Sequence, residues 1–422
     1  MTTNPAPKNE KIFNPRTRLV PGILLILAGV ALLLLFGLNL QPGLQSTFGL
    51  TPQGDKNVIP IPDLVLPAQP AIYVLTLVVV FLGAWQLARG VRSTNTLIGI
   101  VAFCFVAAFL IWAAKGKSMD LVGMMNTSLV RATPIALAAL CGVISERAGV
   151  VNIGIEGIML VSAMTSVMLA TLTHNLYVGL LVGMLTGMIV AGLHAVLVIT
   201  FKVDQIISGV AVNIVGTGAS SFIANRYLQI NTELNNSGVF PNIPIPGLVK
   251  IPILGPVLFE NNIMVYLMLF MVAVIFVVLF YTRWGLRTRA VGEHPKAADT
   301  LGINVYMVRY VNVILGGMVA GMGGAYFTLG SVGRFDKLMT AGKGFIGLAA
   351  MIFGNWNPLG ALGSSLIFGF ADSLQIKMQI LNIPIPTEFL QMAPYIVTIV
   401  VLAGLVGRVH PPAADGAAYD KQ

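Results

Sequence analysis

The feature that most constrains this chain is a series of apolar stretches, each long enough to cross a lipid bilayer as a helix. About 20 apolar residues span the hydrocarbon core, and a helix satisfies its backbone hydrogen bonds within the segment. Only 10% of the 422 residues are charged, whereas soluble domains carry about 25%. We therefore predict an all-α integral membrane protein, a polytopic helical bundle of about 12 spans.

Twelve apolar segments account for this expectation. They are Val20–Leu38, Ala71–Leu87, Leu97–Ala114, Asn126–Ser145, Gly157–Leu172, Tyr177–Phe201, Ile206–Asn225, Ile263–Tyr281, Val305–Leu329, Phe345–Gly354, Leu359–Gln375 and Pro394–Val406. Phe345–Gly354 is too short for a plain crossing, and Asn355–Pro358 separates it from the next segment. The sequence therefore predicts a broken or re-entrant pair at this point.

Basic residues flank the apolar segments and predict the orientation of the chain. The supporting residues are Lys8, Lys11, Arg16 and Arg18 in the N-terminal tail, and Arg283, Arg287, Arg289 and Lys296 in the connection 283–304. The positive-inside rule places both regions in the cytoplasm. The residues that oppose this assignment are Lys115, Lys117, Arg334, Lys337 and Lys343. We predict a multi-pass protein of the cytoplasmic (plasma) membrane with both termini cytoplasmic.

The sequence lacks the motifs that would give the chain chemistry of its own. Lys343 lies in Gly-Lys-Gly, without the upstream glycine and the hydroxyl of a phosphate loop. Cys104 and Cys141 lie in apolar runs, without the spacing of metal ligands. Basic residues do not gather with aromatics, which excludes nucleic acid as a partner. We predict a transport subunit without an ATP-binding site, catalytic residues, metal or cofactor.

The connection 283–304 is the most informative segment outside the spans. Lys296–Leu301 can form a short helix, which Gly302 would end as a C-terminal cap. Ala297 and Ala298 are small and would let another surface approach closely. These features favour a cytoplasmic docking element, and a solvated basic loop is the alternative reading.

A family resemblance enters at the same connection. The pattern E-x-x-x-A-A-x-x-x-G-I, from Glu293 to Ile303, resembles the coupling-helix motif of bacterial ABC-importer permeases. The longer stretch Gly285–Asn304 is similar to the branched-chain amino acid, sugar and nucleoside permease superfamily. Three further stretches resemble one of the two permeases of bacterial nucleoside importers, and they are Ser145–Gly157, Asp204–Asn213 and Ile245–Gly255.

The resemblance implies a subunit that moves nucleosides by alternating access, driven by a partner ATPase. The implied partners are a second homologous permease in a heterodimer, an ABC ATPase with two nucleotide-binding domains, and an extracytoplasmic substrate-binding lipoprotein. The implied ATPase-coupling residues are Glu293, Ala297, Ala298 and Gly302.

The resemblance also predicts a domain organisation. Residues 120–411 form the permease core, and residues 412–422 form a polar C-terminal tail. Residues 1–119 form an N-terminal extension with three predicted transmembrane helices, which the resemblance does not cover.

Polar residues within the spans are costly in lipid and mark either a solute path or contacts between helices. The candidates for the translocation path are Asn152, Glu156, Gln205, Asn213, Thr217 and Asp372. Asn152 and Glu156 are four residues apart, so on a helix they would share one face. Glycines around them favour a broken helix. Arg131 either reaches the membrane surface or pairs with Asp372 or Glu156.

Two glycine pairs predict close helix packing. They are Gly183-x-x-x-Gly187 and Gly317-x-x-x-Gly321. Glycines four residues apart in membrane helices let two backbones approach each other, so we interpret both pairs as structural.

Other functions remain open from the residues alone. A sugar or other small-solute importer of the same superfamily would also move a neutral solute. A proton-coupled secondary transporter, which belongs to a different class, would use Glu156 and Asp372 as relay carboxylates. An intramembrane enzyme would need a nucleophile and base or a metal cluster, and the sequence displays neither.

Overall fold

Ten helices in the part of the chain that the structure describes are long and apolar enough to cross a membrane. The structure is a computed structural model that describes residues 15–38, 40–52, 58–90, 94–383, 385–392, 395 and 410–421. The ten helices coincide with ten of the predicted spans, which confirms the all-α membrane class. The last predicted span, Pro394–Val406, lies outside the described residues except for Tyr395.

The chain divides into two compact units. The first comprises Met1–Thr51, Ile61–Leu121 and Met378–Pro384, and the second comprises Pro52–Pro60, Val122–Lys377 and Ile385–Gln422.

Three helices and a small sheet make up most of the first unit. The elements are α1 (Pro15–Leu32, continued as a π-helix over Leu33–Gly37), β1 (Gln45–Gly49), β2 (Leu64–Pro67), α2 (Ala68–Arg89), α3 (Thr94–Ala113) and β3 (Ser118–Asp120). The strand order is β2-β1-β3. Phe48 of β1 lies opposite Leu64 in an antiparallel pair and opposite Met119 in a parallel pair. This pairing satisfies backbone groups that the connections between the helices would otherwise leave open.

The second unit contains the remaining long helices. The elements are α4 (Leu121–Glu146), α5 (Ile155–Thr173), α6 (Leu176–Ala195, with a π-helix over Val196–Thr200), α7 (Gln205–Ile223, with a π-helix over Ala224–Leu228), β4 (Asn242–Pro244), α8 (Leu254–Leu258), β5 (Glu260–Asn262), α9 (Ile263–Tyr281), α10 (Arg283–Glu293), α11 (Pro295–Thr300), α12 (Val305–Phe327, with a π-helix over Thr328–Val332), α13 (Lys343–Phe353), α14 (Pro358–Ile380) and α15 (Thr387–Gln391).

The predicted broken pair is confirmed as α13 and α14. Helix α13 has 11 residues, and Asn355 and Trp356 follow it with φ of 53° and 51°. This left-handed backbone ends α13 and turns the chain into α14, because helical dihedrals cannot continue through it. Trp356 is held in place by its indole N–H, which donates to Glu146 at 2.6 Å.

Helices α4, α5 and α12 form the centre of the second unit. Within their most apolar stretches, 83% of the α4 residues and 72% of the α5 and α12 residues are buried, against 22% for α7. A helix that is apolar and enclosed on all sides belongs to the core of a bundle, whereas α7 presents Ile206 and Ile214 outward. Lipid is the solvent that such exposed apolar faces require.

The predicted glycine contacts are confirmed between α6 and α12. A Cβ added to Gly187 would lie 2.1 Å from the carbonyl oxygen of Gly317, and one added to Gly321 would lie 2.4 Å from that of Gly183. Both distances are far inside van der Waals contact, so the two backbones touch directly and only glycine fits.

We expect Gly187→Ala to destabilise the protein, because the new methyl group must push α6 away from α12. Overpacking in a tight core costs roughly 1–3 kcal/mol. Thermal unfolding in detergent should therefore begin at a lower temperature, with a lower yield of monodisperse protein. The matched control is Gly192→Ala on the same helix, where the nearest atom lies 3.9 Å from the added Cβ. Equal melting curves for the two variants would contradict the packing described.

Candidate functional site

A buried carboxylate holds the start of α13. Glu156, near the start of α5, accepts from the backbone N–H of Gly342 at 2.9 Å and from that of Gly344 at 2.7 Å. It also accepts from the Thr340 hydroxyl at 2.5 Å. The first N–H groups of a helix have no partner within the helix, and its N-terminus carries partial positive charge. Glu156 satisfies both requirements, so it caps α13.

This cap lies deep within the helical bundle. Gly157, next to Glu156, donates its backbone N–H to the Asn213 side chain at 2.8 Å. Asn213 lies eight residues after the first residue of α7, which corresponds to about 12 Å at 1.5 Å per residue. Glu156 therefore lies about two helical turns along α7 from the end of that helix that follows the 200–204 connection.

The broken helix predicted around Asn152 and Glu156 is confirmed, so the two residues do not share a helix face. Helix α5 begins at Ile155, so Asn152 lies in the break between α4 and α5. Its amide oxygen accepts from the Gly154 N–H at 3.1 Å and closes the turn that precedes α5. A side chain that bonds to backbone two residues onward favours a turn over a helix.

The other predicted path residues on α7 form its buried face. The Gln205 side chain accepts from the Val151 N–H at 2.7 Å, and the Asn213 amide donates to the Ile153 carbonyl at 2.9 Å. Thr217 is half-buried on the same side of the helix. Gln205 and Asn213 thus satisfy backbone groups of the break before α5. A role in lining a solute path stays a prediction for all three.

Asp372 forms an ion pair that the sequence did not predict. Its carboxylate accepts from the Lys343 ammonium at the start of α13, and both side chains are largely buried. Arg131 lines a cavity of about 170 Å³ together with Lys343 and Tyr326. Of the alternatives that the sequence left open for Arg131, the ion pairs with Asp372 or Glu156 are not formed among the described residues, because each carboxylate has its partners on α13 or just before it.

The connection 283–304 forms two helices rather than one. The predicted short helix is present as α11, and Gly302 follows it with φ of +78°. The preceding residues form α10, which the sequence analysis did not predict. The Thr282 hydroxyl caps α10 by accepting from the Gly285 N–H at 3.2 Å. Gly292 near its end allows close approach, because an added Cβ would lie 2.3 Å from the Arg147 carbonyl.

The predicted coupling residues face different directions. Glu293, Ala297 and Gly302 are exposed, and Leu301 beside them is 82% exposed. Ala298 is only 2% exposed and packs into a cluster within the chain. Its methyl group therefore seats α11 on the protein and does not belong to the outward surface.

Two parts of the site were missed from sequence alone. Lys343 was treated as a charge that opposed the predicted orientation, although a lysine before a short apolar helix, with an aspartate in the following span, was a usable signal. Residues 412–422 were predicted as a polar tail, but Tyr419 is 5% exposed. A lone tyrosine among polar residues was the available signal for packing there.

Comparison with known proteins gives a consistent assignment. Residues 124–402 match the family model described as branched-chain amino acid transport system / permease component. The chain is 42% identical over 319 residues to the guanosine ABC transporter permease protein NupQ of Bacillus subtilis, covering 72% of this chain and 99% of NupQ.

Two further relatives cover similar shares. The nucleoside ABC transporter permease protein NupC of Lactococcus lactis is 42% identical over 303 residues, which are 69% of this chain and 95% of NupC. The putative glucose ABC transporter permease protein TsgC13 of Haloferax volcanii is 35% identical over 310 residues, which are 68% of this chain and 93% of TsgC13. No solved structure matches the chain.

We expect Lys343→Met to lower stability strongly, because it leaves the Asp372 carboxylate buried without its cation. Breaking a buried ion pair in this way costs about 3–5 kcal/mol. The double variant Lys343→Met/Asp372→Leu removes both charges and should recover most of the loss, as read from thermal unfolding in detergent. A double variant as unstable as the single one would mean that the ion pair is not the source of the effect.

Proposed function

Because the chain belongs to the branched-chain amino acid transport system permease family, we propose that it is the membrane subunit of an ATP-driven importer for nucleosides. The observation that carries the proposal is the 42% identity to NupQ, a guanosine permease, over 99% of that protein's length. A sugar importer is the second candidate, supported by the 35% identity to TsgC13.

The proposed energy source is a partner ATPase, since the sequence has no phosphate loop. The exposed side of α11 supports a docking role. It combines the small Ala297 with the apolar Leu301, and Glu293 lies at the end of α10 just before it. A projecting apolar side chain beside a small one suits insertion into a groove. The proposed partners are an ABC ATPase with two nucleotide-binding domains, a second homologous permease, and an extracytoplasmic substrate-binding lipoprotein.

The contacts of the intramembrane carboxylates support ATP-driven transport over proton coupling. Glu156 accepts three hydrogen bonds from the segment 340–344, and Asp372 is paired with Lys343. A relay carboxylate must exchange its proton with water or solute during the cycle. Carboxylates that are engaged in capping a helix and in an ion pair serve the architecture instead. A neutral solute also needs no buried countercharge.

We also propose the arrangement of the chain in the membrane. Residues 120–411 would form the permease core and residues 1–119 the extension, which agrees with the family match at 124–402 and the structural division near Leu121. The ends of the chain and α11 would lie in the cytoplasm. Basic residues in α10 and α11 support this orientation through the positive-inside rule.

Deletion of this chain should abolish uptake of radiolabelled guanosine by intact cells, and re-expression should restore it. Excess unlabelled uridine should compete with guanosine, whereas glucose should not. A protonophore should leave most guanosine uptake intact for as long as the cells retain their ATP. Competition by glucose without competition by nucleosides would reverse the order of the two candidate solutes, and immediate loss of uptake on protonophore addition would favour proton coupling.

We expect Ala297→Arg to prevent binding of the ATPase, because the new side chain projects from the exposed face of α11. Loss of a central contact should reduce co-purification of the ATPase and uptake by about tenfold or more. Asn231→Arg is the control. Asn231 is also exposed, but it follows the last residues of α7, whereas the connection 200–204 precedes the first residue of that helix. Normal co-purification in Ala297→Arg would remove the docking assignment.

A further inference from the structure

The last described residues of the chain, 410–421, pack beneath the docking helix α11. We call these residues the C-terminal segment. Its Ala414 N–H donates to the Gly292 carbonyl at 2.9 Å, and its Ala413 N–H donates to the Glu293 carboxylate at 3.2 Å. The segment thus attaches to the end of α10, immediately before α11 begins.

A tyrosine fills the space behind α11. Tyr419 packs with Ala298 in one cluster and meets Tyr306 edge to face, with ring centroids 5.4 Å apart. The Tyr306 hydroxyl donates to the Tyr419 carbonyl at 3.3 Å. Ala298 is the one buried residue of α11, and a single methyl group buries too little apolar area to seat a helix. The Tyr419 ring adds apolar surface to this cluster, beside Val291, Val305 and Val308.

A buried charge attaches the same segment to α12. The Arg309 side chain, 2% exposed, donates to the Ala417 carbonyl at 2.9 Å. The Asp415 carboxyl lies beside Arg309 and Glu146, and burial raises its pKa to about 6 while the Arg309 charge opposes that rise. The Ala417 carbonyl thus gives the buried guanidinium a partner, and a buried charge without any partner is costly.

A third set of contacts reaches two further elements. The His410 N–H donates to the Asn355 side chain at 3.0 Å, in the break between α13 and α14. The Asp420 carboxylate pairs with Lys202, which follows the π-helical end of α6. The C-terminal segment therefore contacts α10, α11, α12, the α13–α14 break and the chain after α6.

We propose that the C-terminal segment is a positioning element for coupling to the ATPase, with Tyr419 as its key residue. The inference rests on the proposed docking function of α11. Helix α11 has six residues, and helices shorter than about 12 residues are marginal without tertiary support. A force applied to α11 reaches the spans through the residues packed behind it. The C-terminal segment, together with α12, supplies these contacts.

The principal test compares Tyr419→Ala with Tyr419→Phe in the full importer. Tyr419→Phe keeps the ring and should transport guanosine at nearly the wild-type rate. In Tyr419→Ala, guanosine uptake should fall roughly two- to thirtyfold, since residues that link two sites contribute 0.5–2 kcal/mol of coupling. The ATPase should still co-purify, and more ATP should be hydrolysed per guanosine moved. Asp420→Ala is the control and should change little, because exposed ion pairs contribute little.

The outcomes separate this inference from the docking assignment. If Ala297→Arg has no effect on ATPase binding, the docking assignment itself fails. If Ala297→Arg blocks binding while Tyr419→Ala, expressed at the wild-type level, transports and hydrolyses ATP normally, the positioning role is overturned.

A second measurement applies if Tyr419→Ala does not fold. Lys202→Cys and Asp420→Cys can be joined by a short bismaleimide in proteoliposomes, and Cys104 and Cys141 are buried away from the reagent. The protein with its C-terminal segment permanently cross-linked should transport guanosine at the rate of the double variant without the cross-link. Loss of transport on linking would show that the segment must detach, which contradicts a fixed supporting role.

Discussion

The hydrogen bonds from the segment 340–344 to the Glu156 carboxylate are the constraint on which the rest of the core depends. The first N–H groups of α13 have no partner within the helix and must be satisfied from outside it. Glu156 supplies two carboxylate oxygens to Gly342, Gly344 and the Thr340 hydroxyl. The break at 147–154 between α4 and α5 places Glu156 beside residues 340–344. The break between α4 and α5 therefore makes the start of α13 possible.

The polar groups in the core satisfy one another, and this shapes what the core can do. Asn213 holds the break before α5, Glu156 holds the start of α13, and Lys343 ties α13 to Asp372 on α14. Each group would be expensive if it were left alone in lipid. Together they leave a framework of bonded polar groups, which supports the passage of an uncharged solute over that of an ion.

The sequence was sufficient for features that are local along the chain. Span length, the short helix α11, the broken pair at Asn355–Pro358 and the presence of glycine pairs suited to close packing follow from composition and spacing within about 30 residues. That the glycine pair of α6 meets the one of α12 did not follow from the sequence. The partners of Glu156 and Asp372 were not predictable in this way. Gly342 lies 186 residues after Glu156, and only the folded bundle decides which of several carboxylates meets it. The same reasoning explains why the sequence left the alternatives for Arg131 open.

The C-terminal segment was missed for a related reason. Its residues are mostly polar, and polarity at a chain end resembles a solvated tail. The side chains that anchor it, Tyr419 and Asp415, face Tyr306 and Arg309 on a helix more than a hundred residues earlier. Neither residue forms a sequence motif by itself. The packing of the C-terminal segment can therefore be recognised only from the folded structure, in which α12 supplies the contacts.

The direct backbone contact between α6 and α12 has a mechanical consequence. With no side chains between Gly187 and Gly317, the two helices cannot slide or roll past each other without breaking their tightest contact. Helices α6 and α12 therefore move together as one rigid unit. Any tilt of α12 at the end that adjoins α11 must also move α6, and the deformation must be absorbed in the connections to this pair of helices rather than along its length.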